Sequence, residues 1–246
     1  MHTQVSLSCI TQLIAGTHEN PSSVLGPHPV DYLGSEAVAV RTLLPNAKAA
    51  WIIDRQSGLR RPMRRLHPAG FFEAICHGEV DETSGSVQDV AHGKCNTSRY
   101  RIQMTDKTGE IIDMQDPYAA PSILSDLDRH LIGEGRHHRL YDRLGAQPRI
   151  IDNAAGVNFA VWAPNAKSVQ VVGDFNDWDG RDHTARMLEH LGIWELFVPD
   201  ASVGDKYKYR IHNQNGEWID KSDPVGFAAE LPPLTASIVT DLQNYQ

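Results

Sequence analysis

The chain has 246 residues, of which 41% are hydrophobic and 22% charged, and its formal net charge is −8 at pH 7. This length and apolar content can supply two domain cores of roughly 100 residues each. The acidic balance disfavours nucleic acid or an anionic membrane surface as a partner, because both require a basic face against their phosphates. We therefore expect a neutral or cationic ligand.

The cysteines and the N-terminal segment predict a cytoplasmic protein. Cys9, Cys76 and Cys95 are odd in number and show no C-x-x-C spacing, which argues against a disulfide framework or a zinc site. Residues 1–16 lack a basic segment followed by an uninterrupted apolar run. No stretch approaches the roughly 18 apolar residues of a membrane span, so we expect no membrane partner.

The first predicted element is a short amphipathic helix that ends at Gly16. Its apolar side carries residues at helical spacing: Leu7, Ile10, Leu13 and Ile14. A second helix is expected to begin at Pro121-Ser122 and to end near Gly133 and Gly135. Its apolar face carries Ile123, Leu124, Leu127 and Leu131. This second helix would connect the two halves of the chain.

Outside the helices, period-two patterns predict short β-strands. Val157, Phe159 and Val161 are apolar residues that alternate with less apolar ones, as in half-buried strands. Asn215-Gly216 separates two such runs, and an Asn-Gly pair favours a type I′ hairpin. Many short strands separated by turns are typical of an immunoglobulin-like β-sandwich, so we predict an all-β protein.

The two halves of the chain repeat the same motifs in the same order. Leu-Pro-Asn-Ala-Lys at 44–48 returns as Ala-Pro-Asn-Ala-Lys at 163–167, an offset of 164 − 45 = 119 residues. Two further pairs are 70–73 with 192–195, and Tyr-Arg-Ile at 100–102 with 209–211. Because the offsets drift, we infer a duplicated domain with loops of different length. The predicted parts are two tandem immunoglobulin-like β-sandwich domains, residues 1–118 and 144–246, with a helical connector at 119–143.

The second copy resembles a known carbohydrate-binding module. Residues 156–166 read Gly-Val-Asn-Phe-Ala-Val-Trp-Ala-Pro-Asn-Ala, and residues 171–181 read Val-Val-Gly-Asp-Phe-Asn-Asp-Trp-Asp-Gly-Arg. Both stretches resemble the family 48 module that precedes the catalytic barrel in glycogen branching enzymes. Residues 20–28 are similar to the start of the first domain in the long bacterial members, and residues 133–145 to their inter-domain connector. The tandem pair favours branching enzymes, because debranching and trehalose-forming relatives share a single such module.

The resemblance implies the amino-terminal part of a 1,4-α-glucan branching enzyme, a transferase of glycogen biosynthesis that moves α-1,4 segments to α-1,6 branch points. In that family the catalytic residues belong to a following (β/α)₈ barrel of about 250 residues, which this sequence does not contain. We therefore expect no catalytic residue and no cofactor here, and no activity from this chain alone. Two alternatives stay open, a stand-alone α-glucan-binding or scaffold protein and the arm of a related debranching or trehalose-forming enzyme.

The candidate glucan site consists of Trp178, Trp218 and Lys208. A sugar ring offers an apolar face and a rim of hydroxyls, so its site needs a flat aromatic surface with polar groups at the edge. Trp178 ends a Gly/Asp/Asn-rich turn, and Trp218 follows the Asn-Gly turn, so both indoles are expected at a sheet margin. In strand 207–211 the tyrosines and Ile211 share one face, which places Lys208 and Arg210 on the other.

The resemblance carries the same site, because in glycogen-binding modules of this family the residues matching Trp178, Lys208 and Trp218 contact the sugar. The partner implied is an α-glucan such as glycogen or a maltooligosaccharide. Structural roles stay open, with Trp178 closing its own loop and Trp218 acting as a packing residue.

The first copy is expected to lack this site. The repeat places Ile111 opposite Trp218, and it places 56–58 where the second copy carries Phe-Asn-Asp-Trp. Arg99 then lies opposite Lys208 and would keep only the polar partner. We therefore expect glucan affinity in the second copy.

Other conspicuous residues favour structural roles. Trp51, Trp162 and Trp194 lie in apolar strand patterns and are expected as packing residues. The histidines form no H-x-x-x-H or H-E-x-x-H motif, so no metal site is predicted. The acidic run at 78–82 has too few regularly spaced oxygen ligands for calcium.

Overall fold

A computed structural model describes residues 5–18, 20–32, 34–54, 58–77, 100–151, 154–188, 191–199 and 201–242. Within these residues the protein is all-β with two short α-helices, which confirms the predicted fold class. The chain forms two compact units. The first unit is Ser22–Ala119, and the second unit joins the segment ending at Pro21 to the chain from Ala120 onward.

The described part of the first unit contains seven antiparallel strands: β1 Gly26–Tyr32, β2 Ser35–Leu43, β3 Ala47–Asp54, β4 Arg60–His67, β5 Phe71–His77, β6 Tyr100–Asp106 and β7 Ile111–Met114. Hydrogen bonding follows the order β1-β2-β5-β4-β3-β6-β7. Strand β4 pairs with β3 as far as Met63 and with β5 from Arg64 onward. The core packs Val40 and Phe72 of β2 and β5 with Ile52 and Ile102 of β3 and β6, so the ladder folds into a sandwich.

The described part of the second unit has nine strands: β8 Gly145–Ile151, β9 Ala154–Trp162, β10 Ser168–Gly173, β11 Arg186–Leu188, β12 Ile193–Val198, β13 Lys206–His212, β14 Trp218–Lys221, β15 Ala228–Ala229 and β16 Ser237–Ile238. One sheet has the order β10-β13-β16-β15, with β14 also paired to β13, and the other has the order β11-β12-β9-β8. Thr184 bridges to Gln170 of β10 just before β11 joins β12. The strand switch of the first unit therefore recurs here.

Helix α1, Leu7–Ile14, forms where the apolar spacing predicts it, with Ile10 and Leu13 buried. The Ser168 hydroxyl of β10 donates a 3.0 Å hydrogen bond to the Gly16 carbonyl just beyond the helix. The segment that the sequence analysis assigned to the first domain therefore lies with the second unit. The predicted domain limits themselves stay a prediction.

Helix α2, Asp126–Gly133, begins later than the predicted start at Pro121-Ser122. Ser125 is its N-cap, because the Ser125 hydroxyl accepts from the Asp128 N–H at 3.1 Å while the Asp128 carboxylate accepts from the Ser125 N–H at 2.9 Å. Leu124 is buried just outside the helix, whereas Leu127 is 65% exposed. The predicted apolar face is therefore wrong at Leu127.

The strand registers correct one alignment of the repeat. Tyr100 donates to Asp116 at 2.7 Å, and Tyr207 donates to Asp223 at 2.6 Å, so both residues match at the same offset, 207 − 100 = 223 − 116 = 107. Tyr100 therefore corresponds to Tyr207 and not to Tyr209. The sequence allowed both alignments because the second copy has two tyrosines two positions apart. It follows that Arg101, and not Arg99, matches Lys208.

The turn before Trp218 differs from the predicted type I′ hairpin. That turn needs a positive φ at both central residues, but only Gly216, at 86°, has one, and Asn215 does not. The Asn213 side chain instead accepts from the backbone N–H groups of Asn215 and Glu217, at 2.9 and 3.0 Å. Asn213 thus closes a longer turn that its own side chain stabilises.

The tryptophans expected as packing residues have different outcomes. Trp194 is 1% exposed and donates to the Ala163 carbonyl at 3.0 Å, which confirms its packing role. Trp162 is 61% exposed, so that expectation is wrong for it. It is the last residue of β9, and its side chain lies beyond the buried part of the sheet. Trp51 is half-buried, and the Arg60 guanidinium lies 3.9 Å from its ring centre.

Several sequence expectations fall on residues that lie outside the described ranges: Cys95, Arg99, 56–57 and the acidic run 78–82. No helix in the described part of the chain is both long and apolar enough to cross a membrane. Across the same ranges, no three His, Cys, Asp or Glu side chains gather as a metal ion would need.

Candidate functional site

The candidate site lies on the outer face of the sheet that contains β13. Tyr207 and Tyr209 point into the core, where they are 0% and 1% exposed. Because side chains alternate along a strand, the intervening residues of β13 point outward. The outer face of β13 and its neighbour β14 carries Lys208, Arg210, His212, Trp218 and Asp220. The predicted placement of Lys208 and Arg210 opposite the tyrosines is confirmed.

Trp218 lies beside His212, its partner in the ladder between β14 and β13. The two rings stack at 4.7 Å between centroids with an interplanar angle of 17°. Trp218 nevertheless remains 39% exposed. One side of the indole is therefore supported by His212 while part of the ring faces solvent, an arrangement that suits stacking on a sugar.

Trp178 is held in a tight loop that follows β10. Asp177 and Trp178 have φ values of 51° and 61°, a left-handed conformation that costs roughly 1–2 kcal/mol per non-glycine residue. Asn176 offsets this cost, because its side chain accepts from the Gly173 N–H at 2.9 Å and donates to the Val171 carbonyl at 2.9 Å. The loop conformation is therefore determined by several hydrogen bonds together, as strained functional loops are.

The indole of Trp178 is anchored at its polar edge. Its Nε1–H donates to Asp174 Oδ1 at 3.2 Å, and Asp174 Oδ2 accepts from the Lys206 backbone N–H at 3.0 Å. Trp178 is half-buried. The indole N–H therefore stabilises the loop that carries Trp178, which agrees with the alternative that Trp178 closes its own loop. The partly exposed ring surface is the part that a sugar could contact.

Arg210 joins the Trp178 loop to β14. Its Nε and Nη2 donate to the two carboxylate oxygens of Asp220 at 2.8 and 3.0 Å, and its Nη1 donates to the Trp178 carbonyl at 3.4 Å. This guanidinium lowers the pKa of Asp220 below its ordinary value. The sequence pattern placed Arg210 on the correct face. Its contact with a loop 32 positions away has no signal in the pattern.

Lys208 is half-buried on the same face, two residues before Arg210. Its charge helps to lower the pKa of Asp220 and of Glu230, after the larger effects of Arg210 and Lys206 on those carboxylates. All three predicted site residues thus border one sheet face, where aromatic surface and charged hydrogen-bonding groups lie side by side. Such a surface can hold a neutral polyhydroxylated ligand.

The groups beneath the Trp178 loop have strongly perturbed pKa values. Burial raises the pKa of Asp182 to about 7 and lowers that of His183 to about 4. Arg181 lowers the pKa of Asp179 through a direct ion pair. His183 is therefore neutral at pH 7, which keeps added positive charge out of the loop.

Among the described residues, the corresponding face of the first unit differs at the positions of Trp218 and Arg210. Ile111, which matches Trp218, pairs with Thr105 and is 61% exposed. Gln103 donates to Asp113 at 2.7 Å and matches Arg210 in its pairing with Asp220. The first unit keeps the cross-strand hydrogen bond and has an aliphatic side chain at the position of Trp218.

Two family models match the chain. The model described as "alpha-1,4-glucan branching enzyme GlgB, N-terminal domain" matches residues 6–118, and the model described as "Carbohydrate-binding module 48 (Isoamylase N-terminal domain)" matches residues 143–226. The second match contains Trp178, Lys208 and Trp218.

Curated relatives match over nearly the whole chain. The chain is 60% identical to a 1,4-alpha-glucan branching enzyme of Rhodopirellula baltica, covering 100% of this chain and 31% of that protein. It is 42% identical to the enzyme of the same name from Thermosynechococcus vestitus, covering 98% of this chain and 29% of that protein.

A crystal structure of pullulanase from Anoxybacillus sp. LM18-11 matches with a TM-score of 0.36 and 16% identity, over 88% of this chain and 28% of that chain. The chain spans about 30% of the length of the two curated relatives. The two family models and the identity over the full length of the chain show that it belongs to the 1,4-alpha-glucan branching enzyme family. The chain corresponds to the N-terminal region of the members of that family.

Proposed function

We propose that this chain is the glucan-binding arm of an enzyme that transfers α-1,4-linked segments to α-1,6 branch points in glycogen biosynthesis. The observation that carries the proposal is that Trp178, Lys208 and Trp218 border one sheet face inside the matched carbohydrate-binding module. The transfer reaction is assigned to the part of the relatives that this chain does not match. A cytoplasmic location is part of the same proposal and rests on the sequence features alone.

Binding would use the aromatic rings for apolar contact and the charged groups for hydrogen bonds. Trp218, supported from one side by His212, offers its remaining surface to the C–H face of a glucose unit. Lys208 provides donors, and Asp220 provides acceptors, for the hydroxyls at the rim. A shallow face of this kind buries little area, so we expect a Kd on the order of 10 μM to 1 mM, or about −4 to −7 kcal/mol.

The proposal is tested by native gel electrophoresis of the chain with and without glycogen in the gel. We expect glycogen to retard the chain, and we expect the Trp178→Ala/Trp218→Ala double variant to migrate as it does without glycogen. Because the ligand is uncharged, retardation should change little when salt is added. Migration of the unaltered chain that glycogen leaves unchanged would contradict the proposal.

A further inference from the structure

We propose that Arg210 is the positioning residue that fixes the spacing between Trp178 and Trp218. This spacing makes the face selective for linear α-1,4-glucan segments long enough to contact both rings. The inference rests on the proposed glucan binding and adds to it a determinant of chain length. Arg210 itself is assigned no stacking role.

The guanidinium of Arg210 contacts both elements that carry the tryptophans. On one side it forms a two-point ion pair with Asp220, which lies two residues after Trp218 on β14. On the other side its Nη1 donates to the backbone carbonyl of Trp178 at 3.4 Å. Two-point pairing fixes the orientation of the guanidinium plane, so the third N–H donor is aimed at the loop.

The two indole rings are anchored near opposite ends of β13. The N–H edge of Trp178 is anchored through Asp174 to the backbone of Lys206, and Trp218 stacks on His212. The anchoring residues Lys206 and His212 are 212 − 206 = 6 residues apart along the strand. At about 3.3 Å per residue, the strand backbone between them is about 20 Å long. We therefore expect a maltooligosaccharide longer than maltose to contact both rings.

Comparison with the first unit shows what Arg210 adds to the second. At the matching position Gln103 donates to Asp113 at 2.7 Å, which reproduces the cross-strand contact of Arg210 with Asp220. A glutamine side chain has one NH₂ group and cannot also present the fixed fork of a guanidinium. The first unit has Ile111 at the position of Trp218 and Gln103 at the position of Arg210. The third contact of Arg210 therefore occurs in the copy that carries both tryptophans.

The loop contact also bears on a strained conformation. Trp178 has a φ of 61° and follows Asp177, which has a φ of 51°. This strained backbone sets the direction of the Trp178 carbonyl, and contacts with other residues must stabilise it. Arg210 is a charged donor to that carbonyl. Without it, the loop keeps the Asn176 and Asp174 hydrogen bonds but loses its link to β14. In an Arg210 variant we therefore expect the Trp178 loop to keep its conformation and the distance between Trp178 and Trp218 to become variable.

The experiment is isothermal titration of the chain with maltose and with maltoheptaose, for the unaltered chain and for Arg210→Gln. We expect the unaltered chain to prefer maltoheptaose, and Arg210→Gln to lose about tenfold in affinity for maltoheptaose with maltose affinity unchanged, because only a two-ring ligand depends on the spacing. Arg210→Lys should behave like Arg210→Gln, since an ammonium cannot keep the two-point pair and the loop contact together. Gln103→Ala in the first unit is the matched control and should change neither affinity.

Indole N–H resonances of the unliganded variants supply a readout independent of binding. We expect the Trp178 resonance to shift in Arg210→Gln, with the thermal unfolding midpoint and the Trp194 resonance unchanged. Unaltered length dependence in Arg210→Gln, together with loss of binding in Trp178→Ala and Trp218→Ala, would overturn this inference alone. Absence of binding by the unaltered chain to either sugar would overturn the proposed function and this inference with it.

Discussion

The Tyr207 hydroxyl donates a 2.6 Å hydrogen bond to the buried carboxylate of Asp223. Tyr100 and Asp116 form the same bond at 2.7 Å in the first unit. In both copies the other carboxylate oxygen accepts a backbone N–H two residues later. Burial raises the pKa of both aspartates, that of Asp116 to about 6. The duplication has thus kept a buried acid that is costly to ionise.

Asp116 should make the first unit less stable as pH rises from 4 to 7. Its folded-state pKa of about 6 lies above the ordinary 3.8, so its stabilising contribution is complete below 3.8 and is lost as pH rises through 6. Asp116→Asn removes this dependence. We expect the free energy of unfolding of the unaltered chain, relative to Asp116→Asn, to fall by about 2–3 kcal/mol between pH 4 and 7. Urea unfolding at several pH values measures it.

Asp106→Asn is the matched control with the opposite sign. The Thr108 hydroxyl, followed by backbone N–H groups, lowers the pKa of exposed Asp106, so its contribution is present above 3.8 and is lost as pH falls. The unaltered chain should therefore gain stability relative to Asp106→Asn as pH rises. The second copy has Asn213 at this position, with the same two backbone hydrogen bonds, so the turn accepts asparagine. Equal slopes for the two variants would contradict both assignments.

Arg41→Ala should destabilise the first unit by about 3–5 kcal/mol, because it leaves the buried Glu73 carboxylate without its nearest cation. Arg41 Nε donates to Glu73 Oε2 at 2.9 Å, and both side chains are about 5% exposed. Arg64 approaches the other oxygen at 3.7 Å. Urea unfolding measures the loss. The double replacement Arg41→Met/Glu73→Met should cost much less, since it removes both charges together.

The second unit shows the arrangement that the single change would create. Ala160 pairs with Glu195 where Arg41 pairs with Glu73. Arg186 contacts Oε1 of Glu195 at 2.7 Å, while Oε2 is buried with no hydrogen-bond partner among the described residues. Arg41→Ala would recreate that arrangement in the first unit. If Arg41→Ala changed the unfolding free energy by less than about 0.5 kcal/mol, the buried pair would not be a source of stability.

The sequence predicts the fold class because period-two patterns and turn residues determine strands locally. The prediction from sequence was wrong where two local arrangements fitted the pattern and a side-chain hydrogen bond determined which one forms. Ser125 and Asp128 form a capping box, which moved the start of α2 past the proposed Pro121-Ser122 and exposed Leu127. The repeat was misaligned at Tyr100 because Tyr207 and Tyr209 fit the pattern equally, and only the hydrogen bond to Asp223 distinguishes them.

Part of the site could be predicted from the sequence, because strand alternation and turn composition are local properties. Alternation placed Lys208 on the outer face, and turn composition placed Trp178 and Trp218 at loop margins. Their role in sugar binding stays a prediction. Arg210 was placed on the correct face, but its simultaneous contacts with Asp220 and with the Trp178 loop depend on tertiary geometry. A period-two pattern carries no information about which loop folds over a strand.

The chain alone should leave amylose unchanged. The proposed function assigns chain transfer to the unmatched part of the relatives, and glycoside chemistry requires two carboxyl groups held about 5–10 Å apart around the bond. Incubation with amylose should therefore not alter the iodine stain, with a full-length relative as the positive control. Colour loss in proportion to the added chain, with contaminating amylase excluded by a second purification, would refute this expectation.

Glucan affinity should reside in the second copy. Trp178→Ala and Trp218→Ala should each weaken glycogen binding about tenfold, because each removes one stacking surface of roughly 1–1.5 kcal/mol. Ile111→Ala is the matched control, since Ile111 holds the position of Trp218 in the first unit and is 61% exposed, and it should leave binding unchanged. Trp162→Ala, at a tryptophan that is 61% exposed against 39% for Trp218, separates stacking at the proposed face from nonspecific adhesion of an exposed indole. Affinity electrophoresis over a range of glycogen concentrations gives the dissociation constants. Loss of binding in Ile111→Ala, or equal loss in Trp162→Ala, would move the site away from the face of β13 and β14.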